Sequence, residues 1–534
     1  MRAPGVVAIV VAGCAGSIGL DPGLEDLAVS AVAPATIVPG TRLIVSGGSF
    51  VDEAWGAATL HLQGMAGGRA VDAAWPARFV DFGTLEVAID GAKLGEIVGG
   101  ASDAQFAGTA TVEVVSTIDR TAYRSAPREV ALAFRSRLTP MVTRVATGVV
   151  FVNDDLAIEG DGFLLGGDEG ATVARLAGCI AAEGGEGCEP VPAVEVAITA
   201  ASRTRASFAF RPEVAGIGPG SFVGTLTVVD RPATGEAVSA RPIEVAYEVV
   251  APEVFAVDPP AASLGQFVFV HGGGFVGGEP GALTEIELSG TLRRTGGAAV
   301  SVQMTWIPEF VGGRLVRYVL NPDDALGHAL DLRSETGELS GTVTPVVSYR
   351  GARVRGRSRP VSFAIAPIKQ VVYLDFAPSY TEGLRDFGLR AVDGRVRERI
   401  VAVCREAYRG VNIEFRTAPP TDFAWFETVE LVGVDPNDQG LFGYDNSPGK
   451  DTGNLRLYDR LGGVNAQIQE DGYPGFGGVF VRSLMGFSQH PGSLARSVDG
   501  ADPMFDQVFD PFRPDRGGEP IRAADLAGAV PALV

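Results

Sequence analysis

A phenylalanine that closes a short glycine motif recurs three times in this chain at nearly constant spacing. Gly47-Gly48-Ser49-Phe50, Gly160-Asp161-Gly162-Phe163 and Gly272-Gly273-Gly274-Phe275 share the pattern G-x-[GS]-F, with the phenylalanines 113 and 112 residues apart. Self-similarity at a fixed period means that one supersecondary unit is used repeatedly. Five and seven positions before each phenylalanine lie Leu43 and Val45, Leu156 and Ile158, or Val268 and Val270, the alternation of a half-buried strand. Ten positions before it stands Gly40, Asn153 or Gly265, residue types that tolerate the left-handed backbone of a tight turn. A second landmark keeps step: Gly108-Thr109, Gly224-Thr225 and Gly341-Thr342, at spacings of 116 and 117, each open a β-rich run. Pro127, Pro242 and Pro360 each lead a closing strand.

Within each copy the hydrophobic period is two, as in Leu85–Asp90 and Val194–Thr199, and turn residues fall about every ten positions, the pattern of a β-sandwich. The three copies resemble IPT/TIG domains, immunoglobulin-like modules of bacterial surface proteins, plexins and some transcription factors. The resemblance is carried by the proline-led opening and the glycine-phenylalanine motif, is best over Pro252–Phe275, and covers roughly residues 28–368. It implies a multidomain, mainly β chain with β-sandwiches at 28–138, 139–250 and 251–368, acting as spacers or binding surfaces. Gly272, Gly274 and Gly277 also match the dinucleotide fingerprint G-x-G-x-x-G. A Rossmann site needs a helix next, and Gly278-Glu279-Pro280-Gly281 reads as a turn.

The start of the chain addresses its location. Arg2, the apolar run Ala3–Gly13 and then Cys14 form the order of a signal peptide, and eleven apolar residues are too few to span a bilayer. The boundary Val11-Ala12-Gly13-Cys14 resembles the lipobox of bacterial lipoproteins, which implies lipidation at Cys14, a signal peptide over 1–14 and a tether over 15–27. An ordinary secretory signal is the alternative. Ala15, in place of the aspartate that retains such proteins at the inner membrane, implies the outer membrane, on its periplasmic or exposed face. An oxidising compartment allows Cys179 and Cys188, which flank a glycine-rich loop, to form a disulfide; a zinc pair is the rival reading. Cys404 is left without a partner.

From Val371 the texture changes. Val371–Phe376 reads as a buried strand, and residues 393–409 as a helix with Val396, Ile400, Val403, Cys404 and Ala407 inward and Arg395, Arg397, Glu398 and Arg399 outward. Strands follow at Val411–Thr417, Thr428–Val434 and Gly477–Val481, so residues 369–534 are expected to form a smaller α/β or α+β domain, whole or incomplete. This order resembles the front half of metzincin-like zinc metalloproteases. That family's catalysis uses a later helix carrying H-E-x-x-H-x-x-G-x-x-H, whose histidines bind zinc and whose glutamate activates water. The chain has only His61, His271, His328 and His490, no two of them close in sequence. Either the reading frame is cut before that helix or the domain has lost it, and in the former case Cys404 finds its partner beyond residue 534.

Other chemistry is sparse. Asp435, Asn437, Asp438, Asp445, Asn446 and Asp451 offer oxygen ligands for calcium, but their spacing equally suits a solvated loop. Trp425, Phe426, Phe442, Tyr444, Tyr473, Phe476 and Phe505 are expected in a core rather than on a sugar-binding platform. No nucleophile elbow, Walker A sequence or Cys/His cluster is present in the sequence. Forty-four basic against 64 acidic residues give a net charge of −20, which disfavours nucleic acid as a partner. The sequence therefore points to a cell-envelope lipoprotein that binds a protein or glycan without catalytic or cofactor residues of its own. The second reading is a truncated or inactive metzincin-like peptidase of the cell surface.

Overall fold

The computed structural model describes residues 27–117, 120–389, 392–446, 460–464, 475–491 and 501–521; Cys14, the tether, Asp451 and Tyr473 lie outside them. The chain divides into two compact units, 1–250 and 251–534. The architecture is multidomain and mainly β.

Each unit begins with immunoglobulin-like sandwiches built by one recipe. The opening strand is split. In the first copy Ala28–Ala33 pairs antiparallel with Arg42–Gly48, whereas Thr36–Ile37 crosses to the other sheet and runs parallel to the closing strand Arg128–Arg135. Met141–Val145 and Gly148–Val150 repeat the device in the second copy, and Glu253–Asp258 and Ala261–Ala262 in the third. In the first two copies the long strands Arg69–Asp81 and Glu189–Ala200 pass from one sheet to the other. The third copy breaks the equivalent path at Pro308, between Ala299–Trp306 and Glu309–Gly312, because proline brings no amide donor to the ladder.

The glycine motifs have a common cause. Opposite each, the opening strand slips register, between Val29 and Ala31, Val142 and Arg144, or Val254 and Ala256. A Cβ on Gly47, Gly160 or Gly272 would overlap the carbonyl of Ala28, Met141 or Glu253 and press on the ring of the motif phenylalanine. Glycine is required where a bulge lays two backbones over an aromatic ring. Phe50, Phe163 and Phe275 are fully buried, and burying such a ring is worth about 1.5–3 kcal/mol. The turn residues Gly40, Asn153 and Gly265 have φ of 89°, 63° and 79°, as their side-chain types suggest.

The second landmark proves to be half of a pair. Gly108, Gly224 and Gly341 lie directly opposite Gly64, Gly178 and Gly290 on the neighbouring long strand. A Cβ on any of the six would collide with its partner's backbone, so each pair of long neighbouring strands closes over a glycine–glycine contact. Aromatic rings fill the cores around it: Trp75, Phe106 and Phe134 in the first copy, Phe210, Phe222 and Tyr247 in the second, and Trp306 stacked on Tyr318 at 4.9 Å in the third. After Phe275 the chain runs through a loop into strand Ala282–Arg294, with no helix behind the G-x-G-x-x-G match. Cys179 and Cys188 are bonded across the tip of a hairpin, with Cα atoms 5.4 Å apart.

The last domain is α/β. Gln370–Phe376 is flanked by parallel strands Ile413–Arg416 and Glu427–Val432, the latter running parallel to Phe476–Phe480, which takes Gly443–Tyr444 as an antiparallel edge. A helix at Pro378–Asp386, led in by its proline, was not expected from the sequence. The helix Asp393–Ala407 is where periodicity places it, but its inward face is rotated: Val401 is buried and Val403 exposed. Arg397, expected in solvent, lies over Phe376 at 4.9 Å and pairs with Asp393 at 3.4 Å. Its aliphatic stem and flat cation cover the aromatic pair Phe376–Tyr380.

Candidate functional site

The most organised polar chemistry lies where the first sandwich meets the second. Arg203, in the turn before strand Arg205–Ala209, reaches out of the second sandwich into the first. It donates through Nε and Nη2 to the Thr36 carbonyl (3.2 and 3.1 Å) and through Nη2 to Thr41 Oγ1 (3.2 Å). On its own side it donates through Nη1 to the Phe163 carbonyl at 3.0 Å. Both Glu169 oxygens receive the guanidinium, at 2.5 and 2.6 Å, in a bidentate pair. Thr41 Oγ1 also donates to Glu169 at 2.6 Å, and the Leu165 amide at 2.8 Å. Arg203 and Glu169 are 8% and 3% exposed, so neither charge has water in place of the other. Val38, Leu138 and Leu164 form a small apolar cluster beside them. Asp230, also buried, accepts from Thr172 Oγ1 at 2.7 Å. Burial pushes its carboxyl up to about 6, with Glu169 adding to the rise and Thr172 and Arg203 opposing it.

The turn glycine of the first sandwich belongs to the same joint. A Cβ on Gly40 would overlap the peptide of Asp168 and Glu169. In the other unit, the matching Gly265 of the third sandwich receives the α/β domain. Its carbonyl accepts from the Ala424 and Trp425 amides at 2.9 and 3.2 Å, and its Cα lies against the Trp425 side chain. The Phe267 amide donates to the Asp422 carbonyl at 2.9 Å, and Trp425 packs on the core of the third sandwich. One turn position thus serves as the seat for the following domain in both units.

Beside the first joint opens a polar cleft of about 310 Å³. Its lining includes Arg135, Arg137, Arg203, Asp103, Asp161, Ser102 and Thr139. Arg135 and Arg137 are exposed and have no carboxylate partner among the described residues. Such a set can grip a ligand carboxylate bidentately and exchange hydrogen bonds with hydroxyls.

The four histidines lie far apart along the chain. His61 lies on strand Gly56–Ala66, His271 on Phe267–Gly273, His328 on the short helix Ala325–Ala329, and His490 alone lies in the domain itself. Among the described residues no three His, Cys, Asp or Glu side chains cluster to hold a metal. His490 is exposed and contributes its backbone, its carbonyl accepting from Arg513 Nη2 at 3.0 Å. Arg513, 1% exposed, also binds Ser488 Oγ and Asp515, closing the 488–490 loop over helix Pro503–Phe509.

The oxygens offered to calcium are largely engaged by peptides. Asp435 accepts from the amides of Asn437, Gln439 and Leu441, and Asn437 exchanges two hydrogen bonds with the Phe476 backbone. Burial works to raise the Asp435 carboxyl, but these amides outweigh it and hold the group below its ordinary value. Asn446 is fully buried and donates to the carbonyls of Gly463 and Gly475. Phe442 stacks on Phe487 at 5.0 Å, and Phe505 packs with Phe387 and Phe509, so these rings line the domain's own core and edge.

No family model and no curated protein matches the chain. Among solved structures it is similar to the extracellular region of plexin A4 (10% identity, 64% of this chain and 34% of that one, TM-score 0.20). It is also similar to the FN1–FN3 domains of chicken CNTN1 (9%, 63% and 98%, TM-score 0.16). A third is SGBP-B from a complex xyloglucan utilization locus in Bacteroides uniformis (12%, 63% and 99%, TM-score 0.21). The chain spans about a third of the length of the plexin ectodomain it matches.

Proposed function

We propose that this chain is a non-catalytic binding protein of the bacterial cell envelope, held to the outer membrane by a lipid on Cys14, that presents stiffly joined domain pairs to an external ligand. The observation that carries this reading is the joint at Arg203 and Glu169. A bidentate pair taken out of water fixes the angle between two sandwiches, which a presenting surface needs. Ligand recognition is placed in the adjoining cleft, where paired arginines and hydroxyls suit a glycan that carries carboxylates. With a net charge of −20 the chain as a whole repels such a polyanion, so retention would report a local site. The test is retention of the full chain on an immobilised uronate polysaccharide. Wild type is expected to be retained and Arg135→Glu/Arg137→Glu lost; equal behaviour of the two contradicts the assignment.

A second reading, a truncated or inactive metzincin-like zinc metalloprotease of the cell surface, is favoured by the strand and helix order of residues 370–480. The two readings are separated by the coding sequence beyond codon 534: an in-frame H-E-x-x-H within about a hundred codons supports the peptidase, and a stop without one speaks against it.

A further inference from the structure

The first sandwich carries a second surface, at the end away from Arg203. Strand Arg42–Gly48 runs between the two ends, about 20 Å of extended chain. Arg42 pairs with Asp168 at the joint, and the Gly47 amide donates to the Gly83 carbonyl at the far end. Two segments meet there, the 49–55 loop and the turn between strands Arg69–Asp81 and Thr84–Ala88. The Phe50 amide donates to the Phe82 carbonyl at 3.1 Å and the Phe79 amide to Glu53 Oε1 at 3.0 Å, so the loop is fixed to the turn. Trp55 is 56%, Val80 45% and Phe82 69% exposed. Phe79, packed on the core, meets the Phe82 ring edge-on at 5.7 Å. Grouped apolar side chains inside a polar rim mark a surface that another molecule covers.

The rim decides what that molecule is. Asp52, Glu53 and Asp81 are exposed, and each uses one carboxylate oxygen to accept from a backbone amide: Ala54 at 2.9 Å, Phe79, and Gly83 at 2.8 Å. The other oxygen of each has no partner among the described residues. The Phe79 amide holds the Glu53 carboxyl below its ordinary value, so it stays ionised. Arg78 is engaged by Glu86 at 3.1 Å, and Arg120, on the turn beside Trp55, leaves the rim net negative. Such a rim repels phosphate headgroups and uronates. Fixed acceptors beside aromatic faces suit guanidinium and ammonium groups, which only donate and which lie favourably over a ring.

We propose that this end of the first sandwich is a second binding surface, for a protein segment that carries arginine or lysine beside apolar side chains. The cations take the outer oxygens of Asp52, Glu53 and Asp81, and the apolar side chains cover Trp55 and Phe82. The surface is separate from the polar cleft and opposite to it in sign, and it does not depend on what the cleft binds.

The probe is a fluorescein-labelled peptide of alternating arginine and leucine, followed by fluorescence anisotropy at about 0.15 M salt. It is titrated with the full chain, in a Cys14→Ala background so that no lipid takes part. Saturable binding is expected, weakened about tenfold in Trp55→Ala/Phe82→Ala, which leaves the net charge of −20 untouched. A similar loss is expected in Asp52→Asn/Glu53→Gln/Asp81→Asn, whose amide oxygens still accept from the same backbone donors. Arg135→Glu/Arg137→Glu is expected to keep the peptide; its loss there would move the site to the cleft and overturn the proposal. Equal affinity in the parent chain and Trp55→Ala/Phe82→Ala also overturns it, because bulk charge would then account for the binding. So does binding to phosphatidylethanolamine–phosphatidylglycerol vesicles, or self-association, that the aromatic variant abolishes; these would assign the end to a membrane or to a second copy.

Discussion

Arg203→Ala is the sharpest perturbation of the joint. It removes the donors to Thr36, Thr41, Phe163 and both oxygens of Glu169 in one step. Glu169 is then left 3% exposed with only the Thr41 hydroxyl and the Leu165 amide for company. Removing one partner of a buried pair costs about 3–5 kcal/mol, most of it the stranded charge. Surface pairs at the same joint, such as Arg42–Asp168 at 3.4 Å with both side chains exposed, are worth far less. The assay is urea unfolding followed by pulsed hydrogen exchange on peptides from residues 28–250, since a multidomain chain has no single unfolding free energy. Arg203→Met/Glu169→Leu strands no charge and is expected to recover most of the loss. A drop below about 1 kcal/mol for Arg203→Ala would refute the argument, because the carboxylate would then have found water and the joint would not be closed.

Asp230 gives a pH test. Its folded carboxyl is raised from 3.8 to about 6, so between those values the native state binds more protons than the unfolded one and stability falls as pH rises. Asp230→Asn is expected to stabilise residues 28–250 at pH 7 by about 2–3 kcal/mol, and to lose that advantage below pH 4; no gain at pH 7 contradicts the assigned burial. Gly265→Val forces a side chain into φ +79° and against Trp425, so Trp425 fluorescence should shift to the red and the third sandwich lose about 1–3 kcal/mol. Unchanged emission would show that the turn does not seat the α/β domain. Under denaturation, reduction should expose two further thiols from Cys179 and Cys188; an unchanged count refutes the bond.

The repeats were legible because their causes are local. A bulge over an aromatic ring demands glycine and phenylalanine at fixed offsets, and a left-handed turn demands Gly40, Asn153 or Gly265, so each copy spells the same signs. Gly64, Gly178 and Gly290 escaped notice because a lone glycine in a strand gains meaning only when the strand beside it is known. The short helices Gly91–Val98, Pro212–Ala215 and Ala325–Ala329 follow equivalent strands, yet share no residue pattern that periodicity could find. The joint was illegible for a different reason. Arg203 and Glu169 are 34 residues apart in sequence and read as ordinary solvated charges; only folding removes their water. Likewise Val403 and Arg397 exchanged their expected environments because the Phe376–Tyr380 ring pair attracts a flat cation, which a count of apolar residues does not register.

The stiff joint is tested most directly by an intramolecular distance. Spin labels on Ala92→Cys in the first sandwich and Glu236→Cys in the second, both exposed sites, are placed in a background with Cys14 and Cys404 replaced by serine. Double electron–electron resonance is expected to give one narrow distance distribution that broadens in Arg203→Ala. A broad distribution in the parent chain, unchanged by that substitution, would contradict the account.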